Sequence, residues 1–425
     1  MRGVKRVLLV AYYFPPQPKA GALRPSYLAA NLREFGWEPT VLTVDFPGDP
    51  GVECRVVKVK QLGKSAKLDF VAAGEAAANA KRRSKFERSL RDAARNIVHF
   101  PDDAVGWLWP ARTEALRLTG QERFDAVIST APPPSAHFVG RAASMSRRIP
   151  WIADYRDLWS GPAGPYFDRE FGPLKRAYSY AWERWLLRRA TALTAPTMAH
   201  RDALAEYFGR PDAMMIPNAA DMAAWQGIDA PPPSEFRICY AGKLYPRLRT
   251  PDVAFAAVAR LRRTNAPAGK AVRFDFYGED PDLVIESADR HGVRDAIVVH
   301  GEVDRRSALT AMRASAVLLL LLNTAGDLDH IEIANPGSKI LEYSGAKRPI
   351  LAVGAAGNAV EGIICDSGLG VFASDEAGCA HALTSLYDDF RAGKLEPVPL
   401  PAWRPPTPRD LAGGFASILD RIAQD

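Results

Sequence analysis

The chain has 425 residues, 47% of them hydrophobic and 24% charged, with a formal charge of +6. That balance excludes a disordered chain and, because single cores rarely grow past about 250–300 residues, predicts two domains with a cleft between them. The longest apolar runs, Val7–Phe14 and Ala316–Leu322, fall far short of the roughly 20 residues that span a bilayer, so they read as buried strands.

The excess of cations suits phosphate groups, an acidic membrane face or nucleic acid, and net charge alone does not choose among them. No apolar core with a small-residue cleavage site follows Met1-Arg2-Gly3-Val4-Lys5-Arg6, so a cytoplasmic protein is expected. Cys54, Cys239, Cys365 and Cys379 stand apart with no Cys-x-x-Cys pair, which points to plain thiols.

In chain order, Arg6–Tyr13 reads as a strand, Leu23–Phe35 as a helix closed by Gly36, and Thr40–Val44 as a second strand, together a βαβ unit. Residues 81–97 then crowd Lys81, Arg82, Arg83, Lys85, Arg88, Arg91 and Arg95 around an apolar stripe of Phe86, Leu90, Ala93, Ala94 and Ile97. Such a helix either lies on an anionic membrane or is a solvated basic helix over the first core. No nucleic-acid motif accompanies it, so nucleic acid is not expected as a partner.

Phe124–Ser129, Trp151–Asp154, Ala192–Ala195 and Met214–Ile216 read as strands and Tyr178–Arg189 as a helix. The stretch Ala230-Pro231-Pro232-Pro233-Ser234 is too stiff and donor-poor for a sheet and reads as a linker. The rhythm then restarts, with strands at Arg237–Ala241, Arg273–Tyr277, Ile297–His300, Ala316–Leu322 and Pro349–Val353. Helices at Val253–Arg262, Leu283–His291, Arg306–Arg313 and Lys339–Ser344 alternate with them. The strands are apolar runs without polar alternation, as in parallel sheets covered on both faces. The fold class is therefore α/β, two Rossmann-like doubly wound domains over 1–229 and 235–408, with a final helix at Arg409–Ala423 free to pack on either.

Open α/β sheets bind ligands at the carboxyl ends of their strands. After the first strand, Tyr13–Ala22 lacks Gly-x-Gly-x-x-Gly and carries prolines in its place, which disfavours a dinucleotide oxidoreductase. Gly21 either approaches a ligand there or simply makes the turn. The segment Trp151-Ile152-Ala153-Asp154-Tyr155-Arg156-Asp157 offers two carboxylates and an arginine, suited to hydroxyls and phosphate or to a structural ion pair. His137 enters a helix after Pro132-Pro133-Pro134, a position more often structural than chemical.

In the second half Lys243, Arg247 and Arg249 surround Gly242, and Glu279 and Glu302 follow later strands. Three cations in seven residues suit a leaving diphosphate, or else a solvated loop. Asn335-Pro336-Gly337-Ser338-Lys339-Ile340-Leu341-Glu342-Tyr343 places a glycine turn, a hydroxyl, a lysine and a glutamate at a helix start, which is a phosphate-binding arrangement or a capped junction.

Together these segments resemble the glycosyltransferases of GT-B fold, in particular retaining family 4. The resemblance runs through Tyr12-Tyr13-Phe14-Pro15-Pro16, Gly21-Ala22-Leu23-Arg24-Pro25, Phe100-Pro101-Asp102-Asp103 with Gly106-Trp107, and Ile152–Trp159. It continues through Ile216-Pro217-Asn218, Tyr240–Tyr245, and Lys339–Tyr343 followed by Arg348–Ala352. It implies a nucleotide-diphosphate sugar held mainly by the second domain and an acceptor, a lipid-linked saccharide or other glycan precursor, held mainly by the first.

By the same resemblance Glu342 holds the donor ribose, and Lys243, Arg247, Arg249 and Lys339 lie near the diphosphate with the backbone of Gly337 and Ser338. Gly21 and Glu279 complete the implied donor site, Arg156 and Asp157 the catalytic pair, and Asp154 and His137 the acceptor side. The family's other common glutamate falls at Ala334, two residues from Glu332, and Arg156 stands where a histidine is common. The implied chemistry is transfer with retained configuration, the departing diphosphate taking the acceptor's proton, with no cofactor. No metal is expected; triplets such as Asp280-Pro281-Asp282 and Asp327-Leu328-Asp329 arise often by chance, and the first reads better as a helix cap. A catalytically silent sugar-binding protein, or a sugar-nucleotide epimerase using Asp154, Asp157 and Glu279, is the rival reading.

Overall fold

The computed structural model describes residues 4–17, 19–63, 100–160, 173–244, 249–323, 339–395 and 404–423. Residues 81–97, Arg247, Ala334, Gly337 and Ser338 lie outside the described residues. The chain forms two compact units, Met1–Asn218 with Pro408–Asp425, and Ala219–Thr407. The proline stretch Ala230–Ser234 thus belongs to the second unit, with the border a little before it.

The first unit is built on a seven-stranded parallel sheet of β1 (Lys5–Ala11), β2 (Trp37–Val44), β3 (Arg55–Val59), β4 (Ala126–Ala131), β5 (Trp151–Tyr155), β6 (Ala192–Ala195) and β7 (Met214–Met215). Their order is β3-β2-β1-β4-β5-β6-β7. Central β1 and β4 are apolar and almost wholly buried because helices cover both faces. Edge strand β3 instead has two exposed and three half-buried residues and none fully buried, and that weak pattern hides it in the sequence. The first helix is α-helical over Leu23–Asn31, tightens to a 3-10 turn over Leu32–Phe35, and ends at Gly36, whose φ of 79° only glycine adopts cheaply.

The sheet also carries helices at Val105–Gln121 and Met198–Phe208 that the periodicity does not announce. The second begins at Thr197, whose hydroxyl accepts from His200 N at 3.1 Å. The last helix, Pro408–Ile422, returns to this unit and buries Leu411, Phe415, Ile418, Leu419 and Ile422. Asp420 there accepts from Lys5 Nζ at 2.7 Å and from Trp37 Nε1 at 3.1 Å.

The second unit holds a six-stranded parallel sheet of β8 (Arg237–Ala241), β9 (Arg273–Tyr277), β10 (Ile297–Gly301), β11 (Val317–Leu321), β12 (Ile350–Val353) and β13 (Gly370–Ala373), in the order β10-β9-β8-β11-β12-β13. One face packs Phe255, Val258, Phe274 and Leu383, the other Trp225, Met312, Ile340 and Tyr343. The helices Ala359–Ser367 and Glu376–Arg391 and four-residue β13 go beyond the sequence reading, which stops at β12. In both sheets the strand order reverses once, between β1 and β4 and between β8 and β11. A crevice opens outside the strand ends at such a reversal, and ligands of open α/β sheets settle there.

Candidate functional site

At the reversal point of the second sheet, β8 ends at Ala241 and the chain turns at Gly242 with φ of 134°, a conformation that disfavours any side chain. Gly242 N donates to Tyr277 O at 2.7 Å, and Gly278 N to Gly301 O at 2.9 Å, so the ends of β8, β9 and β10 form one bonded rim. A Cβ on Gly278 would overlap the Gly242 carbonyl oxygen. The rim at Gly242 and Gly278 is therefore backbone without side chains, packed against Lys339 and against itself.

The helix Lys339–Ser344 is tied to this rim twice. Lys339 Nζ donates to Ala241 O at 2.7 Å, and Ala241 N donates to Tyr343 Oη at 3.2 Å. The Lys339 amine also sits 4.2 Å from the Tyr240 ring centroid. Burial, aided by the Arg249 guanidinium, pushes this ammonium down to about 7. Arg249 Nε donates to Asn323 Oδ1 at 2.9 Å, just beyond the end of β11. Lys243 Nζ lies 3.2 Å from Glu279 Oε2, both exposed, and Glu342 Oε1 lies 3.8 Å from Arg305 Nε.

The second unit thus gathers Lys339, Arg249, Lys243, Glu279 and Glu342 around one rim. Lys339 and Arg249 bring two half-buried cationic groups to one strand end, an arrangement that an anion there would favour. Arg305, which the sequence reading passes over, joins this group because the helix after β10 starts beside Glu342. Its signal in the sequence was only its place just past a strand end.

The first unit treats its expected residues differently. Asp154 and His137, expected against an acceptor, are interior residues, 1% and 0% exposed. Arg24 grips Asp154 in a bidentate pair at 3.0 and 2.9 Å, and Thr130 and Thr194 donate to the same carboxylate at 2.8 and 2.7 Å. Burial would raise this carboxyl, but the guanidinium and the hydroxyls together hold it below its ordinary value. With all its lone pairs committed, Asp154 is a strut rather than an acid or base. Arg24 also donates to Pro217 O and Asn218 Oδ1, at 3.1 and 3.2 Å, which explains the Ile216-Pro217-Asn218 segment.

His137 shares a 2.8 Å hydrogen bond with Ser129 Oγ, which accepts from Trp151 Nε1 at the same distance. Burial pushes its imidazole down to about 3, so it stays neutral. Arg156, expected to be catalytic, spends its guanidinium on the backbone carbonyls of Gly21, Ala131 and Pro132. That ties together the loops after β1 and β4 and the end of β5, and gives Gly21 a partner within its own unit. Asp157 is half-exposed beside Arg156 and makes no hydrogen bond among the described residues. Behind it, Ser160 N and Oγ donate to buried Glu183, whose carboxyl burial pushes up to about 7.

Among the described residues, no group of three or more His, Cys, Asp or Glu side chains is placed to hold a metal ion, and no helix is long and apolar enough to cross a membrane.

Two doubly wound units, each with a strand-order reversal, form an α/β architecture whose ligands bind outside the carboxyl ends of the strands. Comparison with known proteins makes this specific. The glycosyl transferase 4-like domain model matches residues 22–219, and the glycosyl transferases group 1 model matches residues 235–389. The chain belongs to the glycosyltransferases of GT-B fold.

Solved structures share the fold along the whole chain. HepE from Anabaena, in complex with UDP and glucose, aligns with a TM-score of 0.59 at 16% identity, over 99% of this chain and 97% of that one. An alpha,alpha-trehalose-phosphate synthase (UDP-forming) from Burkholderia vietnamiensis gives 0.59 at 11% identity, over 99% of each. A putative UDP-N-acetylglucosamine 2-epimerase from Listeria monocytogenes gives 0.55 at 12%, over 100% and 98%. No curated protein matches the chain in sequence.

Proposed function

We propose that this glycosyltransferase takes its sugar from a nucleotide-diphosphate sugar bound at the rim of the second unit, and transfers it with retention of anomeric configuration. The observation that carries the reading is the convergence of Lys339 and Arg249 at the end of β8, with Glu342 three residues along the same helix as Lys339. The cations neutralise the leaving diphosphate as the bond to the sugar breaks. A diphosphate oxygen then accepts the proton of the attacking hydroxyl, so no dedicated base is required. Glu342, with two acceptor oxygens, holds the two ribose hydroxyls.

In the first unit Asp157 is the carboxylate left at the end of β5 for an acceptor hydroxyl, and Arg156 positions it by locking the surrounding loops. A lipid-linked saccharide or other glycan precursor of surface polysaccharide as acceptor rests on the family resemblance. Contact of residues 81–97 with an anionic membrane rests on their sequence alone.

Incubation of the protein with a panel of UDP-, GDP- and dTDP-sugars, reading both free nucleotide and sugar configuration, tests this. Nucleotide release stimulated by an acceptor extract supports transfer. Epimerisation without release, or no donor bound at all, overturns it in favour of an epimerase or a silent binding protein. The pairing of both Asp154 oxygens with Arg24 weighs against its use as an epimerase acid or base.

A further inference from the structure

Tyr277 and His300 form a feature that the proposed chemistry leaves unused. Their rings are stacked, 4.3 Å between centroids and 4° from parallel. Tyr277 closes β9, and the register between β9 and β10 slips between Val299 and Gly301, so that Gly301 rather than His300 stands opposite Tyr277. A bulge of this kind re-aims the side chain at the slip. His300 is turned onto the face that carries Asp275 and Tyr277, where its Nε2 lies 2.7 Å from Asp275 Oδ1. Asp275 is 5% exposed and also accepts from Arg237 Nη1 at 3.1 Å, so the imidazole is fixed from behind.

One ring face rests on Tyr277 and one nitrogen is engaged, yet about a third of the His300 side chain (34%) remains open to solvent. β10 is the edge strand, and no further strand covers it among the described residues. A pre-stacked, anchored and partly open aromatic at a strand end is a platform for a flat ring.

Its place in the rim says which ring. Lys339 and Arg249 mark the anion at the end of β8. Arg305, at the start of the helix after β10, reaches back to within 3.8 Å of Glu342, so the ribose position borders the β10 end. Two steps of about 4.8 Å separate β8 from β10. Phosphate, sugar and base would then run outward across the rim in that order.

We propose that His300, backed by Tyr277 and held by Asp275, is the stacking platform for the nucleobase of the donor. The proposal rests on the nucleotide reading of this rim and adds the residue that grips the base. Stacking is tolerant of base identity, so the platform gives affinity for a nucleoside over a bare diphosphate rather than a choice among bases.

Titration of the full-length protein with UDP, GDP and inorganic pyrophosphate by calorimetry tests it. His300→Ala is expected to weaken UDP and GDP by about tenfold or more while leaving pyrophosphate within about twofold. His300→Phe, which keeps the flat face, is expected to hold nucleotide affinity within about threefold. Unchanged nucleotide binding in His300→Ala overturns the inference, as does an equal loss for pyrophosphate or a failure of His300→Phe to rescue. If the wild type binds pyrophosphate but neither nucleotide, the nucleotide reading itself fails, a result separable from any behaviour of the variants.

Discussion

Lys339 shows how much a single buried contact changes the meaning of a motif. The sequence marks it as a phosphate ligand; the structure turns its amine onto the Ala241 carbonyl and the Tyr240 ring and brings it down to about 7. An anion restores the charged form, so the bound amine titrates higher than the free one. Donor affinity should therefore be flat below pH 7 and fall as pH rises beyond it, by up to about tenfold per unit. Calorimetry with a nucleoside diphosphate from pH 6 to 9 reads this slope, and Lys339→Met should flatten it.

Glu183 gives the opposite sign. Its carboxyl is raised from 4.5 to about 7 by burial, so the stability it contributes is present below pH 4.5 and lost as pH climbs to 7. Glu183→Gln should stabilise the protein at pH 8 by up to about 3 kcal/mol and leave it nearly unchanged at pH 4, as denaturant melts would show. What was legible at this scale was residue type near a strand end. Burial was not: nothing near Asp154 announces Arg24, 130 positions away, as its partner. For the same reason the sequence does not show that Asp154, Arg156 and His137 are buried with polar partners inside the first unit.

Elements were legible where their pattern was strong. Continuous apolar strands such as Val317–Leu321 are unmistakable, whereas edge strand β3 and four-residue β13 carry too little pattern to stand out. Which unit the last helix joins was open from sequence, because an amphipathic face does not name its partner. It lies against the first unit, with Phe415 fully buried 5.3 Å from the Arg24 guanidinium. Phe415→Ala should cost about 3–5 kcal/mol. In a thermal melt that resolves two transitions, only that of the first unit should move. The glycine rim makes a matching prediction for the second unit. Gly278→Ala forces a side chain against the Gly242 carbonyl and should lower that unit's transition by an amount worth at least about 2 kcal/mol.

At the scale of the whole chain, two parallel sheets with the same strand-order reversal carry different chemistry at their carboxyl ends. At the first, Arg24 is paired with Asp154, and Arg156, with Asp157 beside it, donates to backbone carbonyls. The second keeps a cationic rim of bare backbone. The proposed donor site lies on the second unit, and the measurement that tests it most directly is nucleoside diphosphate affinity in wild type and Glu342→Gln. Loss of the carboxylate proposed to receive the ribose hydroxyls should weaken binding by roughly 1.5–3 kcal/mol, or about 10- to 150-fold, with the fold intact. Affinity unchanged by Glu342→Gln would contradict the account, because the ribose would then lie somewhere other than this rim.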